Sequence, residues 1–226
     1  FYLAIGCQGG RTAGVPGEDA AGIQTAVALL RTVGGDESHK MTGKTVVIGG
    51  GNVAIDAARV ALRCGSSDVT MVCLEPREKM PASAEEIAEA EEEGTAIRCG
   101  YGPKEFLTKD GHVCGVVLKR CTGLYDAEGR FAPTYDESVT ITLPCDNVVL
   151  SIGQCIQWGN LLDGEAVQLG RGQGAVADAM TYQTAQSDIF VGGDVYTGPR
   201  FAIDAIAAGK QGAISIHRFV QPDRKS

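Results

Sequence analysis

The sequence predicts an α/β fold in which parallel strands alternate with helices and one small antiparallel insert interrupts the pattern. Three observations carry this. Many of the 31 glycines stand directly after short β-branched runs, where strands end in tight turns and the backbone closes on a ligand or another element. In the middle of the chain KTVVIGG, VAIDAARVALRCG and DVTMVCLE read as strand, helix and strand, a βαβ unit. Finally, FYLAIG at the start and NVVLSIG from Asn147 are near copies, each ending in an Ile-Gly pair with Gln shortly after.

The elements follow in order. The chain opens in mid-strand at Phe1, passes through the turn-rich RTAGVPGEDAAG, and then shows a helical segment from Ile23 to Val33 ended by Gly34-Gly35, with GGDESHK as the linker candidate. The strand in KTVVIGG leads into the helix VAIDAARVALRCG, closed by Gly65, and DVTMVCLE forms the next strand. Ser83-Ala84-Glu85-Glu86 has the form of a capping box and starts a helix that runs acidic through EIAEAEEE to Gly94, expected to be a solvated face. From Lys104 the period becomes two: KEFLTK, an Asp110-Gly111 hairpin turn, HVCGVVLKRC, a polar loop containing Gly123 and Gly129, then VTITLP. The parallel theme resumes at NVVLSIG and DIFVGGD, the last helix is FAIDAIAAGKQGAISIHRFV, and the tail QPDRKS is expected to fray.

Composition narrows the function. With 226 residues and 44% hydrophobic side chains, the chain fills one large or two small cores. A net charge of -8 repels phosphate backbones and anionic lipid, so neither nucleic acid nor a membrane is the expected partner. No run approaches the ~20 apolar residues of a membrane span and no charged leader with a cleavage site heads the chain, so a cytoplasmic location is expected. Cysteines 7, 64, 73, 99, 114, 121, 145 and 155 are scattered, without C-x-x-C spacing. They read as small reduced hydrophobes, with no metal cluster and no redox disulfide expected.

In VVIGGGNVAIDAAR, Gly49-Gly50-Gly51-Asn52-Val53-Ala54 fits the G-x-G-x-x-G/A pattern of a dinucleotide site. Gly49 permits the strand-to-helix turn, Gly51 lets a pyrophosphate close on bare backbone, and Ala54 keeps helix and sheet near each other. The helix N-terminus then offers free N–H groups and a partial positive charge to the phosphates. Alone, such a turn also fits a purely structural strand-to-helix joint. The context favours the nucleotide: a strand before, a helix after, and a second strand closing on Glu75, 21 residues beyond Ala54, where the ribose-binding acid belongs. A carboxylate there accepts both ribose hydroxyls and repels the extra phosphate of NADP, so NAD is favoured over NADP. Arg77 is the nearby residue that reverses this preference if it points to the ribose, or leaves it intact if it pairs with Glu78 or a neighbouring helix.

IGGGNVAIDAAR, MPASAEEIAEAEEEG and GDVYTGPRFAIDAIAAGKQGA together resemble the small, flavin-containing subunit of glutamate synthase and its NAD(P)H-dependent relatives, and the likeness runs through essentially the whole chain. The resemblance implies a Rossmann-like NAD-binding domain with its antiparallel insert, nested in part of a second Rossmann-like FAD-binding domain. Residues 1–36 and 146–226 would belong to the FAD domain and 37–145 to the inserted NAD domain. It also implies that the chain is a piece of a longer protein, lacking the FAD glycine fingerprint and iron–sulfur region that precede it in the family, so its FAD site is incomplete.

On this resemblance FYLAIG closes the first half of the FAD domain and NVVLSIG closes the inserted NAD domain, which places Gly6 and Gly153 against cofactor. Thr184, Ile189-Phe190-Val191 and Gly192-Gly193-Asp194 form the surviving FAD signature, with Asp194 on the ribityl hydroxyls and Gly193 allowing close approach. A carboxylate at a strand's C-terminal end suits that role, and it equally suits a turn or helix cap. The amides around Phe201, Ala202 and Ile203 begin a helix whose positive end favours negative charge on a reduced flavin. Two departures matter. Leu74-Glu75 stands where NADP-using members commonly carry Arg-Arg, and Val53 replaces a frequent Thr.

The implied reaction is hydride transfer from NADH to FAD, with electrons passed to an iron–sulfur or flavin partner. The cofactors hold that chemistry, so the catalytic list is empty. His39, His112 and His217 fall in a linker, a hairpin turn and a helix end, where exposure is the default, and Asp56 and Asp204 read equally as ligand-adjacent or structural. Two other readings compete: a non-catalytic NAD-binding module, and a stand-alone dehydrogenase, for which no His, Lys or Tyr stands out as the proton carrier.

Overall fold

The computed structural model describes residues 1–221, so 222–226, most of the tail expected to fray, lies outside the described residues. In chain order the elements are β1 (Tyr2–Leu3), β2 (Gly9–Gly10), β3 (Ile23–Thr25), α1 (Ala26–Gly35), β4 (Lys44–Ile48), α2 (Asn52–Arg63), β5 (Asp68–Cys73), α3 (Ala84–Glu92) and β6 (Ala96–Cys99). They continue with β7 (Tyr101–Lys109), β8 (His112–Tyr125), β9 (Phe131–Pro144), β10 (Asn147–Leu150), β11 (Gln154–Cys155), β12 (Phe190–Val191), α4 (Asp194–Thr197) and α5 (Ala202–Val220). The chain divides into two compact units, Gly10–Gly153 and the remainder on either side of it.

In the larger unit β3, β10, β4, β5 and β6 lie side by side in that order, all parallel. Its inner strands bury both faces, which is why KTVVI and NVVL read as unbroken apolar runs. Val47, Met71 and Val149 pack with Leu29, Ala54, Ile55 and Ile87 on the helical side. Their strand neighbours Val46, Ile48, Val72, Val148 and Leu150 point the other way, onto Phe106, Val116 and Leu118 of the antiparallel β7-β8-β9 sheet. The insert therefore acts as the second covering layer. Its first hairpin turns on Asp110 and Gly111 with φ of 52° and 80°, the pair of left-handed residues that a two-residue loop demands.

Several expectations need correction. Ile23–Thr25 is an edge strand paired with β10, and the helix begins one residue later, where the Thr25 hydroxyl accepts the Ala28 N–H at 3.3 Å. The apolar spacing of IQTAVALL hid a strand and its cap inside one helical pattern. Strand pairing of β3 and packing of α1 on α2 put residues 10–36 in the larger unit, and β10 lies inside its sheet, so the units part at Gly9/Gly10 and Gly153/Gln154 rather than at 36/37 and 145/146. Gly123 is within β8, and only Gly129 sits in the turn, where Asp126 accepts the N–H groups of Glu128 and Arg130. The strand β6, between Gly94 and Gly100, was not anticipated.

The capping box is half formed. The Ser83 hydroxyl accepts the Glu86 N–H, but Glu86 does not reach back and instead lies 3.5 Å from Arg59 of α2. Glu89 and Glu93 join it around the same guanidinium, at 2.8 and 2.6 Å, and Arg63 also reaches Glu93. The acidic helix is thus an ion-paired seam on α2 as well as a solvated face.

In the smaller unit β1 and β12 run parallel, with Tyr2 opposite Phe190 and Leu3 opposite Val191. Their core gathers Cys7, Ile156, Ala175, Val191 and Val195. The Phe190 and Phe219 rings meet edge to face at 5.7 Å and tie α5 to the strand. No helix among the described residues is long and apolar enough to cross a membrane.

Leu29 is fully buried in the larger unit's core. Leu29→Ala should cost about 2–5 kcal/mol and speed hydrogen exchange throughout β4 and α2. Unchanged protection there would show that α1 does not belong with this unit.

Candidate functional site

A cleft of about 640 Å³ opens at the C-terminal ends of the parallel strands of the larger unit. β10 and β5 flank β4 on opposite sides, so the strand order reverses at β4, and such a reversal is where open α/β sheets bind ligands. The cleft is walled by Gly49, Gly50 and Gly51 after β4, Glu75 after β5, and Ser151 after β10.

Each glycine is there for a different reason. Gly49 has φ of 149°, and a Cβ on it would stand 2.3 Å from the Ser151 carbonyl oxygen. Its N–H donates to the Val72 carbonyl at 2.8 Å while the Ser151 N–H donates to that of Ile48 at 2.7 Å, which stitches the turn to both neighbouring strands. At Gly50 a Cβ would meet the Cys73 Cβ at 2.9 Å and a Glu75 carboxylate oxygen at 3.0 Å. Beyond Gly51 nothing lies within 4 Å, so this position faces open cleft. No side chain caps α2 at Gly51, which leaves the helix's first N–H groups directed at that space. Ala54 is fully buried and holds α2 close to the sheet.

The turn is held from outside by the segment between β5 and α3. The Ala82 N–H donates to the Gly50 carbonyl at 3.0 Å, and the Ser83 N–H donates to the Asn52 side-chain oxygen at 3.0 Å. Met80 is buried and Pro81 lines the cleft. Asn52 therefore serves the loop's shape, and Val53, half-buried, packs on the helical core. Arg77 is not on the cleft; its guanidinium pairs with Glu91 of α3.

The smaller unit has its own cleft of about 270 Å³, which brings together Gly6, Gly193 and Asp194 with Tyr2, Ala205 and Gly209. Gly6 and Gly193 have φ of 70° and 66°. The Asp194 carboxylate accepts the Arg200 N–H at 3.3 Å, and the residue also lines the cleft. The Tyr2 hydroxyl is buried with no hydrogen-bond partner, and burial, with Tyr182 nearby, raises its pKa. Phe201, Ala202 and Ile203 open α5 but lie off this cleft and are exposed; α5 reaches it one turn later, at Ala205. Gly153, with φ of 113°, is likewise off the larger cleft, accepting the Arg11 N–H at 3.1 Å. His112, His217, Asp56 and Asp204 are exposed and His39 is half-buried, and none lines either cleft. Among the described residues no three His, Cys, Asp or Glu side chains gather as a metal site.

Residues 2–209 match the family model described as pyridine nucleotide-disulphide oxidoreductase. The chain belongs to this family. Within the pyridine nucleotide-disulphide oxidoreductases it is 34% identical to the NADP(+)-dependent formate dehydrogenase subunit beta of Moorella thermoacetica, over 97% of this chain and 31% of that one. It is 31% identical to the glutamate synthase [NADPH] small chain of Azospirillum brasilense, over 97% of this chain and 48% of that one. The chain thus spans about a third to a half of these relatives. Among solved structures, Mycobacterium tuberculosis FprA in complex with NADPH superposes with a TM-score of 0.74 at 19% identity, over 98% of this chain and 63% of that one. Thioredoxin reductase of T. acidophilum gives 0.73 at 20% identity, over 99% and 66%. These last two likenesses speak for the shared Rossmann-like architecture.

In this family member the sequence reading missed the contribution of the antiparallel sheet to the larger cleft. Lys119 of β8 and Tyr135 of β9 line it, with the ammonium 4.4 Å from the ring centroid and 2.8 Å from Glu137. The same long strands that looked like a structural insert carry them, and their pairing across β8 and β9 has no mark in the linear sequence. The Arg11–Val15 loop also lines this cleft, although its sequence marks only turns.

The steric contrast between two glycines is testable. Gly49→Ala should lower the unfolding midpoint sharply, because backbone stands where the methyl would go, whereas Gly51→Ala should change stability by no more than about 1 kcal/mol. Equal losses in thermal melts of the two variants would contradict the geometry.

Proposed function

We propose that the chain is the NADH- and FAD-handling part of a flavin-dependent oxidoreductase, with the Gly10–Gly153 unit serving the nicotinamide nucleotide and the other unit serving FAD. The observation that carries this is the convergence of an uncapped helix N-terminus, bare backbone at Gly51 and the Glu75 carboxylate on one cleft. Backbone N–H groups suit a pyrophosphate even on a protein of net charge -8, because the attraction is local. Glu75 lines the same cleft, and its carboxylate suits ribose hydroxyls. Gly6, Gly193 and Asp194 suit the polar chain of FAD, and the orphaned Tyr2 hydroxyl beside them is a donor awaiting an acceptor.

Together, the bound cofactors would supply a hydride from nicotinamide C4 and its acceptor at flavin N5. The protein's own contribution is to bind, orient and keep water out, and no side chain is assigned a proton-transfer role. Electrons would go on to a partner bearing an iron–sulfur cluster or flavin, as the likeness to glutamate synthase small chains suggests, and that partner would set the final acceptor. The named relatives are NADP(+)-dependent in one case and NADPH-linked in the other, and this chain is read as departing from such members at Leu74-Glu75, where the resemblance leads one to expect two arginines. The pairing of Arg77 with Glu91 supports that departure, since it directs the cation closest to Glu75 in sequence to another element.

Steady-state reduction of an artificial acceptor, and nucleotide titration, test this. NADH should be preferred, and Glu75→Ala should weaken NADH binding about tenfold or more, as loss of hydrogen bonds to a charged group does. Leu74→Arg combined with Glu75→Arg should shift the preference to NADPH. Preference of the unaltered protein for NADPH would overturn the role given to Glu75. Gly51→Ala should weaken both nucleotides while leaving the preference between them unchanged.

A further inference from the structure

Two thiols meet at the edge of the larger cleft. Cys73 closes β5 and Cys99 closes β6, and the two are direct partners in the parallel register. Their sulfurs lie 3.7 Å apart, with the Met80 sulfur 3.8 Å from that of Cys99. Neighbouring strands run about 4.8 Å apart, and a disulfide spans Cα separations of roughly 4.4–6.8 Å, so register partners fall inside its reach. Closing the gap needs side-chain rotation and a small strand shift, not unfolding.

The pair is unequal. Cys73 is 2% exposed and its burial raises its pKa, whereas Cys99 is half-buried and reaches solvent. Cys73 is also part of the cleft wall. Its thiol donates to the Glu75 carbonyl at 3.5 Å, and its Cβ occupies the space that a side chain on Gly50 would need. Whatever moves this sulfur acts on both the glycine turn and the ribose-binding acid.

We propose that Cys73 and Cys99 form a reversible disulfide under a hydroperoxide oxidant, and that this bond lowers the affinity of the cleft for its nucleotide. Cys99, the accessible partner, loses its proton, and its sulfur attacks the peroxide O–O bond; an S–O bond forms and the released hydroxide is protonated to water. Cys73 then gives up its proton and attacks the Cys99 sulfur, the S–S bond forms as the S–O bond breaks, and a second water leaves. Two thiols are oxidised by two electrons and one hydrogen peroxide becomes two waters. A small dithiol reverses the bond by exchange. Drawing the sulfurs from 3.7 Å to a bond length of about 2.05 Å pulls Cys73 off the Glu75 carbonyl and from beneath Gly50. The affinity effect rests on the nucleotide reading given above; the bond itself does not.

The experiment treats the intact reduced protein with hydrogen peroxide, blocks free thiols, and maps cross-linked peptides by mass spectrometry beside an NADH titration. A Cys73–Cys99 cross-link is expected, with the NADH Kd raised about fivefold or more and restored by dithiothreitol. Cys99→Ala, or Cys99→Ser if the first does not fold, should keep its reduced-state Kd under peroxide. Oxidation of Cys99 to a sulfinic acid without a cross-link overturns the proposal, as does a cross-link with unchanged Kd. Reduced protein that ignores NADH sinks the nucleotide reading and the affinity effect with it, while the peptide map still decides the bond.

Discussion

Bare backbone at the end of β4 is the constraint around which the larger unit is arranged. Gly49 and Gly50 cannot carry a side chain, because Ser151 backbone fills one position and Cys73 and Glu75 fill the other. A loop with so little side chain has nothing of its own to fix its shape, and its polar backbone groups need partners wherever they are buried. The partners come from β5's neighbour segment: Ala82 and Ser83 donate to Gly50 and Asn52, and Met80 anchors that segment in the core. The Met-Pro-Ala sequence is thereby tied to the glycine turn by physical contact. Either motif without the other would leave a loop too loosely held to present its N–H groups in one direction.

This arrangement explains what could be seen in the linear sequence. Glycines after a β-branched run, with a helical pattern behind them, encode a turn whose demands are local, so the turn, α2 and the acid ending the next strand were all legible. So was the Asp110-Gly111 hairpin, for the same reason. What escaped was pairing over distance. Ile23–Thr25 has helix-like spacing and becomes a strand only because β10 offers it a partner 125 residues on in the register, at Val148 to Leu150. Lys119 and Tyr135 enter the cleft because β8 and β9 fold over the sheet, and Ser83 gives its N–H to Asn52 in place of the local box that its neighbours encode. In the smaller unit Gly6 and Asp194 come together through the pairing of β1 with β12, whereas Phe201 to Ile203, at the start of α5, lie away from the cleft.

The cysteines show the same limit. Composition favours inert buried thiols, and Cys64 and Cys145 are buried as that reading expects, the latter with its pKa pushed up to about 12 by burial and by Asp146. Cys114 is exposed, and Cys73 and Cys99, 26 residues apart, are made neighbours by parallel strands in register. Spacing rules for disulfides and metals look for closeness in sequence, and a βαβ crossover produces closeness that they do not register.

Charge placement near the glycine turn follows from α3. Three arginines that follow it in sequence, Arg59, Arg63 and Arg77, are all engaged by glutamates of this helix or of its C-cap: Glu86, Glu89 and Glu93 on the first, Glu93 on the second, Glu91 on the third. Exposed ion pairs of this kind add little stability. Their consequence here is positional. Each guanidinium held by α3 is one fewer positive charge facing the strand end where Glu75 stands. On the proposed reading Glu75 repels a ribose phosphate to the degree that neighbouring cations do not compensate it, and Lys119, on the same cleft, is itself held 2.8 Å from Glu137. The acidic helix, which by composition alone is a solvated surface, thus supports the chemical meaning of a carboxylate on a different element.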